Sequence, residues 1–465
     1  MTAGMLHYDV AVVGGGNAGL TAALTACEAG ASVIVLDAAP RHLRGGNSRH
    51  TRNLRCAHAA PTDVLTDSYP ESELLADLLR VNDGDTDTAL TQLVVERSAE
   101  CPAWMKRFGA RFQHALRGTL QLSRTNAFFL GGGTALMNSY YAAAERLGID
   151  VQYDAEVVGL GLRDGACDAL TVRMHDRTEQ IGANAVVLAA GGFEANLDWL
   201  RAAWGDAARN FIVRGTPHNT GTILRLLLDA GAAPIGDPAE CHAVAVDGRA
   251  PQFDGGIVTR LDSLPLGIVV NRAGERFYDE GEDVWPKRYA IWGKLIARQP
   301  GQIAYSIVDS KVRSRFMPSV FPPIEAGSIR QLAALLGLPA DELERTVQGF
   351  NAAVRPGTFD TSALDDCRTV GLAPDKTHWA QPLDTPPFWG YPLKPGITFT
   401  YLGVRVDSAA RVLAASGSAF SNVYAAGEIM AGNVLRHGYV AGIGMTIGTV
   451  FGRIAGQSAA QHASR

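Results

Sequence analysis

The chain has 465 residues, of which 47% are hydrophobic and 19% are charged, and its formal net charge is −5. This composition is typical of a soluble globular protein with two or three domains. It excludes a general nucleic-acid binder, which needs a basic excess, and no uninterrupted apolar run reaches the about 20 residues of a membrane span.

The six cysteines are scattered through the sequence without C-x-x-C spacing. This pattern favours buried thiols in a reducing compartment over a disulfide framework or a zinc site, so no metal site is predicted. The first residues, MTAGMLHYDV, lack the charged and then apolar pattern of a signal peptide. We therefore expect a cytoplasmic protein.

Residues 8–37 predict a strand, a helix and a second strand. The run YDVAVVGGG is β-branched and apolar, NAGLTAALTACEAG is rich in Ala and Leu and closes on Gly30, and ASVIVLD ends in Asp37. This βαβ unit favours a parallel sheet with right-handed crossovers.

The rest of the chain returns to the same kind of unit after an interruption. We predict helical structure over 85–115 and helix over 131–149, then strands over 150–160, 183–193 and 421–429, and a last helix after Gly444. Residues 240–380 carry more Pro, Trp and charge and lack the βαβ rhythm. The predicted fold class is therefore α/β, a Rossmann-like nucleotide-binding domain (1–235 and 386–465) with an inserted domain (236–385).

A glycine motif lies between the first strand and the first helix. Gly14 permits a tight turn, Gly16 allows close approach of a pyrophosphate, and Gly19 allows close packing of helix on strand. Asp37, at the end of the second strand, can accept hydrogen bonds from ribose hydroxyls. The neighbouring residues predicted to contact the same nucleotide are Asn17, Ala18 and Ala38.

Two further glycine elements, LAAGGF (188–193) and YAAGEI (424–429), follow apolar strands. A simple NAD domain does not need them, whereas an extended FAD contacts several strand ends. They favour FAD, with Glu428 as an acceptor for ribityl hydroxyls.

The motifs VVGGGNAGLTAAL, RGGNSRHTRN, VVLAAGGFEAN, VVNRAGERFYDE and YAAGEI…GIGMTIGTVFGRIAG occur in one order between residues 8 and 460. Together they resemble the fumarate reductase/succinate dehydrogenase flavoprotein superfamily, and most closely its FAD-dependent tricarballylate dehydrogenase branch. The resemblance implies that the Rossmann-like domain binds FAD and that the inserted α+β domain (236–385) is a capping domain over the flavin. It also implies hydride exchange across a C–C bond flanked by carboxylates. The expected reaction is tricarballylate to cis-aconitate. The alternatives are a soluble fumarate reductase, a ketosteroid-type dehydrogenase, a biosynthetic desaturase acting on another carboxylate, a flavin monooxygenase, and a flavin-binding protein without turnover.

The resemblance also implies cofactor contacts along the chain. In RGGNSRHTRN, Asn47 rather than His50 matches the family's attachment position, so we expect non-covalent FAD. Arg49 and Arg52 are candidates to face flavin or substrate. The full set of implied contacts beyond the first glycine motif is Gly45, Gly46, Asn47, Ser48, Arg52, Val157, Ala190, Gly191, Gly427, Glu428, Gly442, Gly444 and Met445.

Dehydrogenation of a polycarboxylate needs cations for the carboxylates and a group that removes a proton. In the family, an arginine that exchanges this proton follows the segment that corresponds here to residues 270–280. Arg288 is the expected residue, with Lys287 as the second choice. Glu282 and Asp283 are near in sequence and could assist, because an arginine is a poor base without a proton relay.

Other candidate substrate ligands depart from the family pattern. His242 matches a substrate-binding histidine, although the two residues after it differ. The family's Thr–Glu pair falls on Thr259 and Arg260, so a base replaces an acid, which suggests an additional carboxylate to hold. Phe399 replaces a second histidine, and Arg436 with His437 occupies the region of another family segment. The resemblance further implies a separate electron acceptor, such as a membrane iron–sulfur or haem protein.

Overall fold

The computed structural model describes residues 5–115, 122–175 and 177–465, so the first four residues of the N-terminal stretch considered above lie outside the described part. Its helices are α1 Asn17–Glu28, α2 Glu71–Val81, α3 Thr88–Ser98, α4 Cys101–Arg107, α5 Leu122–Thr125, α6 Gly132–Arg146, α7 Leu197–Trp204, α8 Thr222–Asp229, α9 Trp285–Arg288, α10 Trp292–Ala297, α11 Ile329–Leu336, α12 Ala340–Ala353 and α13 Ile443–Ala463.

The strands are β1 Leu6–Val13, β2 Val33–Leu36, β3 Asn53–Arg55, β4 Asn126–Phe128, β5 Asp150–Gln152, β6 Ala155–Arg163, β7 Ala166–Met174, β8 Arg177–Leu188, β9 Ile212–Val213, β10 Pro234–Ile235, β11 Cys241–Asp247, β12 Ile268–Asn271, β13 Ala304–Asp309, β14 Ile324–Ala326, β15 Val354–Arg355, β16 Arg368–Thr369, β17 Phe388–Thr400, β18 Gly403–Val404, β19 Arg411–Leu413 and β20 Ala419–Ala425.

The larger sheet is built on the βαβ unit of the first 37 residues. Its strands run in the order β19–β20–β8–β1–β2–β5, and the antiparallel pair β6–β7 attaches to it through β8. In the middle of the sheet Val12 of β1 lies opposite Val35 of β2 on one side and Val187 of β8 on the other, all in parallel pairing. Because β2 and the second half of β1 are buried, their continuous apolar runs are those of a covered parallel sheet. The predicted α/β class is confirmed.

Helix α13 packs on α1 at backbone distance because its facing residues are glycines. A Cβ on Gly452 would lie 2.6 Å from the carbonyl oxygen of Ala18, and one on Gly456 would lie 2.3 Å from that of Ala22. A larger residue at either position would push the helices apart. This contact fixes the start of α13 beside the start of α1.

The second sheet runs β11–β17–β13–β12, with β14 and β9 also paired to β17. Its separate core is completed by α11 and α12, which bury Leu332, Leu336 and Phe350 against it. The long strand β17 pairs only with strands of this second sheet. The sequence pattern places the start of the second nucleotide-domain segment at residue 386, before this strand. Within the described residues, no helix is long and apolar enough to cross a membrane.

Candidate functional site

A cavity of about 1560 Å³, including its opening to solvent, lies between the two sheets. It takes its lining from both ends of the chain and from the inserted part. The predicted site residues that line it are Gly14, Gly16, Asn17, Ala18, Asp37, Ala38, Gly46, Asn47, Ser48, Arg52, Val157, Ala190, Gly191, His242, Arg260, Gly427, Glu428, Gly442, Gly444 and Met445.

One part of this cavity, here called the glycine end, is formed by the turn between β1 and α1 and by the end of β2. Gly14 has φ +106°, and a Cβ there would lie 2.3 Å from the carbonyl oxygen of Ala189. Gly19 lies behind the turn, where a Cβ would come within 1.8 Å of the carbonyl oxygen of Gly14. Only glycine fits both places, and the turn leaves the N-terminus of α1 facing the cavity.

Asp37 closes the glycine end. It is 7% exposed, and its Oδ2 accepts a hydrogen bond of 3.0 Å from the hydroxyl of Tyr141 while its Oδ1 accepts one of 3.1 Å from the backbone N–H of Ala39. Burial raises the pKa of this carboxyl. Asp37 lines the cavity, where its carboxyl oxygens can accept a hydrogen bond from a bound hydroxyl group.

Most of the segment RGGNSRHTRN lines the cavity. Ser48 accepts a hydrogen bond of 3.0 Å from the N–H of Asn17 and so caps α1. Asn47 donates to the carbonyl oxygen of Thr398 at 2.8 Å. Gly45 is not in the lining but has φ +101° and packs on Met137.

The start of α13, where Gly442 and Gly444 are predicted to contact the cofactor, offers few free N–H groups. Gly442 has φ +81° and precedes the helix. The N–H of Gly444 already donates to the hydroxyl of Tyr439 at 2.9 Å, and that of Ile443 donates to the carbonyl oxygen of Val440. A ligand at this helix N-terminus would have to displace or share these bonds.

The other part of the cavity, the arginine end, contains a buried guanidinium that has no acidic partner among the described residues. Arg214 is 6% exposed, and the one hydrogen bond described for its side chain goes from Nη2 to Oγ1 of Thr398 at 2.9 Å. Its Nε and Nη1 have no partner in the structure. Burial lowers the pKa of this group, because an unpaired cation is costly in an apolar interior. The Arg214 guanidinium thus has room for an anionic partner at Nε and Nη1.

Two more arginines of this end share one carboxylate. Nη2 of Arg260 lies 2.7 Å from Oδ1 of Asp262, and Nη2 of Arg52 lies 3.2 Å from Oδ2. Asp262 also accepts a hydrogen bond of 2.6 Å from Nε1 of Trp285. The family pattern has a glutamate where this chain has Arg260, and here the carboxylate beside that position is Asp262, two residues later. With Arg214, the arginine end has three guanidinium groups for one carboxylate.

His242 lies between two tyrosines at the arginine end. Its ring stacks on Tyr439 with centres 3.9 Å apart, and its Nε2 lies 3.2 Å from the hydroxyl of Tyr289. Burial, and then the charge of Arg214, holds the pKa of His242 well below its usual range, so the ring is neutral. Its Nδ1 is buried without a partner. If Tyr289 donates to Nε2, the ring proton is on Nδ1 and is free for a ligand.

Three residues predicted for proton exchange or substrate binding, Arg288, Arg436 and His437, do not line the cavity, and neither do Lys287 and Arg49. Arg288 binds Glu282 through Nε at 2.5 Å and the hydroxyl of Tyr278 through Nη2 at 2.9 Å. Arg436 and His437 lie beside Asp85, at 4.0 and 3.6 Å, and neither lines the cavity. The backbone N–H groups of these last two both donate to one side-chain oxygen of Asn82.

Sequence reasoning missed several residues of the arginine end: Arg214, Asp262, Tyr289 and Tyr439. Arg214 follows the short apolar run FIV, and an arginine directly after a buried strand was the available signal. Asp262 lies two residues from Arg260 on an extended segment, which places both side chains on one side. Nothing local in the sequence distinguishes Tyr289 from its neighbour Arg288.

Comparisons with known proteins agree on the fold. A family model described as an FAD binding domain matches residues 9–447. The chain is 28% identical to a probable fumarate reductase of Shewanella frigidimarina, over 98% of this chain and 75% of that protein. It is 25% identical to 3-oxosteroid 1-dehydrogenase of Mycobacterium tuberculosis, over 99% of both. Its structure matches the open conformation of a flavocytochrome c3 fumarate reductase with a TM-score of 0.77 and 24% identity, over 99% of this chain and 80% of that chain.

The glycine end fits FAD. The glycine turn and the N-terminus of α1 suit a pyrophosphate, and Asp37 suits a ribose. The buried Oδ1 of Asn17, which lines the cavity, has no partner in the structure. Glu428 and Asn47 line the path from this end to the arginine end.

Proposed function

Since the chain belongs to the FAD-binding domain family, we propose that it is an FAD-dependent dehydrogenase of the fumarate reductase group that oxidises a C–C bond flanked by carboxylates. The favoured reaction is tricarballylate to cis-aconitate. FAD would be held non-covalently by the glycine end and by the 46–48 segment. When bound, it supplies the hydride acceptor.

The observation that carries this proposal is the unpaired Arg214. Buried cations in proteins are normally paired, and an unpaired one in a cavity wall points to an anionic ligand. Arg214 bonds Thr398 at the arginine end, and burial lowers its pKa although Tyr289, Tyr439 and Asp262 lie near enough to oppose the shift. The anion is therefore a substrate group rather than the cofactor's phosphates, which the glycine turn is built to receive.

The number of cations favours a polycarboxylate. Arg52, Arg214 and Arg260 carry three positive charges, and Asp262 neutralises one. Two further negative charges are needed to balance this end, and the planar fork of arginine suits carboxylates. An uncharged steroid would leave Arg214 buried and unpaired. The same site can also run in the reductive direction on an unsaturated carboxylate, which is the second candidate.

We assign the proton transfer to Tyr289, because it lines the cavity and Arg288 does not. As Tyr289 accepts a proton from the substrate carbon, its hydroxyl proton passes to Nε2 of His242, 3.2 Å away. Burial and the charge of Arg214 keep this imidazole neutral in the free protein, and the carboxylates of the bound substrate would offset that charge so that the ring can take the proton. Arg260 lies over the Tyr289 ring, 4.5 Å from its centre, where its charge stabilises negative charge on the oxygen. The arginines also stabilise the charge that develops next to the substrate carboxylates.

The reduced cofactor would pass its electrons to a separate acceptor, which we take to be an iron–sulfur or haem protein at a membrane. We place the enzyme itself in the cytoplasm, which agrees with six cysteines that are all free thiols. The test is turnover of the purified holoenzyme with tricarballylate and an artificial electron-accepting dye. Formation of cis-aconitate is expected, and dye reduction only with another substrate class would contradict the proposal.

A further inference from the structure

Two buried carboxyl groups meet in the cavity wall between the glycine end and the arginine end. Glu428 lines the cavity and is 8% exposed, while Glu194 lies behind it and is fully buried. Both flank Gly192: a Cβ there would lie 2.3 Å from Oε1 of Glu428 and 2.9 Å from Oε2 of Glu194. Any larger residue at 192 would separate the pair.

The donors around the pair are neutral. Glu428 accepts hydrogen bonds from the N–H of Thr400 at 2.7 Å and from its hydroxyl at 3.1 Å. Oε1 of Glu194 accepts from the amides of Asn47 at 2.5 Å and Asn219 at 2.7 Å. Among the described residues, no Lys, Arg or His forms an ion pair with either carboxyl. Two negative charges would therefore lie side by side without compensation, which is strongly unfavourable in a buried site.

The remaining oxygen of Glu194 shows how the conflict is resolved. Oε2 is buried and has no donor among the described groups, and it is the Glu194 oxygen that lies with Oε1 of Glu428 beside Gly192. A proton between the two carboxyls would satisfy it and remove one of the two charges. Burial raises the pKa of both groups, and the neighbouring Glu194 raises that of Glu428 further.

We propose that Glu194 and Glu428 share a single proton, and that this proton controls the affinity for FAD. Glu194 is a positioning residue: through the shared proton it holds Glu428 in the cavity wall, where Glu428 can accept a hydrogen bond from a hydroxyl group of the cofactor's ribityl chain. The inference depends on FAD binding and not on the identity of the substrate.

The pH dependence follows from burial. Bound FAD removes Glu428 from water, so the holoenzyme holds the shared proton more tightly than the free protein does. As pH rises through the range where the free protein loses this proton and the holoenzyme keeps it, FAD affinity falls by up to tenfold per pH unit. Below that range both forms hold the proton, and affinity is flat.

The test compares wild type with Glu194→Gln. The glutamine amide donates permanently to Glu428. The variant therefore keeps the hydrogen bond between the two side chains and the single negative charge of the protonated pair, but it has no proton that can be lost. FAD release on dilution of the holoenzyme is followed by flavin fluorescence between neutral and alkaline pH. Wild type should release FAD more readily as pH rises, and Glu194→Gln should not. Glu325→Gln, which changes a glutamate bound only to Nε1 of Trp389, should follow wild type.

Infrared spectroscopy provides a second readout. Near neutral pH wild type should show the C=O band of a buried protonated carboxylic acid, and Glu194→Gln should lack it. Glu194→Ala should weaken FAD binding about tenfold, the effect of one lost hydrogen bond to a buried group, and Glu194→Gln should restore it. Equal pH dependence in wild type and Glu194→Gln, or no protonated-acid band in wild type, would overturn the proposal whatever the substrate proves to be.

Discussion

The hydroxyl of Tyr289 lies 3.2 Å from Nε2 of His242. Both side chains line the same cavity as Arg214, whose Nε and Nη1 have no partner among the described residues. A neutral imidazole beside a phenol can accept the phenolic proton when the phenol takes one from a substrate. This pair is the only feature of the described arginine end that joins a proton-exchanging hydroxyl to an acceptor.

Tyr289→Phe should lower the rate of substrate-dependent flavin reduction about 10²- to 10⁴-fold, because general acid–base catalysis is lost. FAD content and substrate affinity should stay close to wild type, since the ring remains. Arg288→Ala should stay within a few-fold of wild type, because Arg288 contacts Glu282 and Tyr278 and not the cavity. Stopped-flow reduction measures both rates. The reverse outcome would assign the proton transfer to Arg288, as the sequence predicted.

Arg214→Gln should separate binding from stability. Without substrate its melting temperature should equal or exceed that of wild type, because an unpaired buried charge is removed. Affinity for a polycarboxylate should fall by about 10²-fold or more, the usual effect of losing one partner of a buried charge pair. Arg163→Gln, an exposed arginine, is the control. Unchanged affinity for every anion tested would show that Arg214 does not bind substrate.

Asp262→Asn should destabilise the protein and make its stability depend on ligand. The carboxylate holds Arg260 and Arg52, and removal of one partner from a buried ion pair costs about 3–5 kcal/mol. A bound tricarboxylate should recover part of this loss, since it brings negative charge to the same guanidinium groups. Urea unfolding with and without ligand tests both effects. If the variant is as stable as wild type, Asp262 does not hold the two arginines as described.

Because of His242, the free energy of unfolding should decrease as pH falls below about 6.5. Its pKa in the folded protein is well below the ordinary value of 6.5, so below about pH 6.5 the unfolded chain takes up a proton that the folded protein does not. The unfolded state is then favoured, by up to tenfold per pH unit, as pH falls. Thermal or urea unfolding from pH 7.5 to 5 should show this additional loss in wild type and not in His242→Gln. Parallel curves would mean that the imidazole is not held neutral.

The glycine end was predictable from sequence because its chemistry is local. Gly14 and Gly19 act within one turn, and Asp37 follows the next strand, so a strand–turn–helix pattern specifies them together. The arginine end depends on tertiary contacts: Arg214, Asp262 and Tyr289 come from three separate segments. Helix α9 ends at Arg288 and a 3₁₀ turn begins at Tyr289, so the two adjacent side chains face different surroundings. Motif spacing in the sequence therefore cannot distinguish Tyr289 from Arg288 as the residue that faces the cavity.

The most direct test of the central claim is an anaerobic titration of the FAD-bound protein with tricarballylate, succinate and a steroid. Tricarballylate should bleach the oxidised flavin absorbance in wild type, and Arg214→Gln should need a far higher concentration for the same change. If tricarballylate leaves the flavin oxidised while the steroid reduces it, the arginine end does not hold a polycarboxylate and the proposed function is wrong.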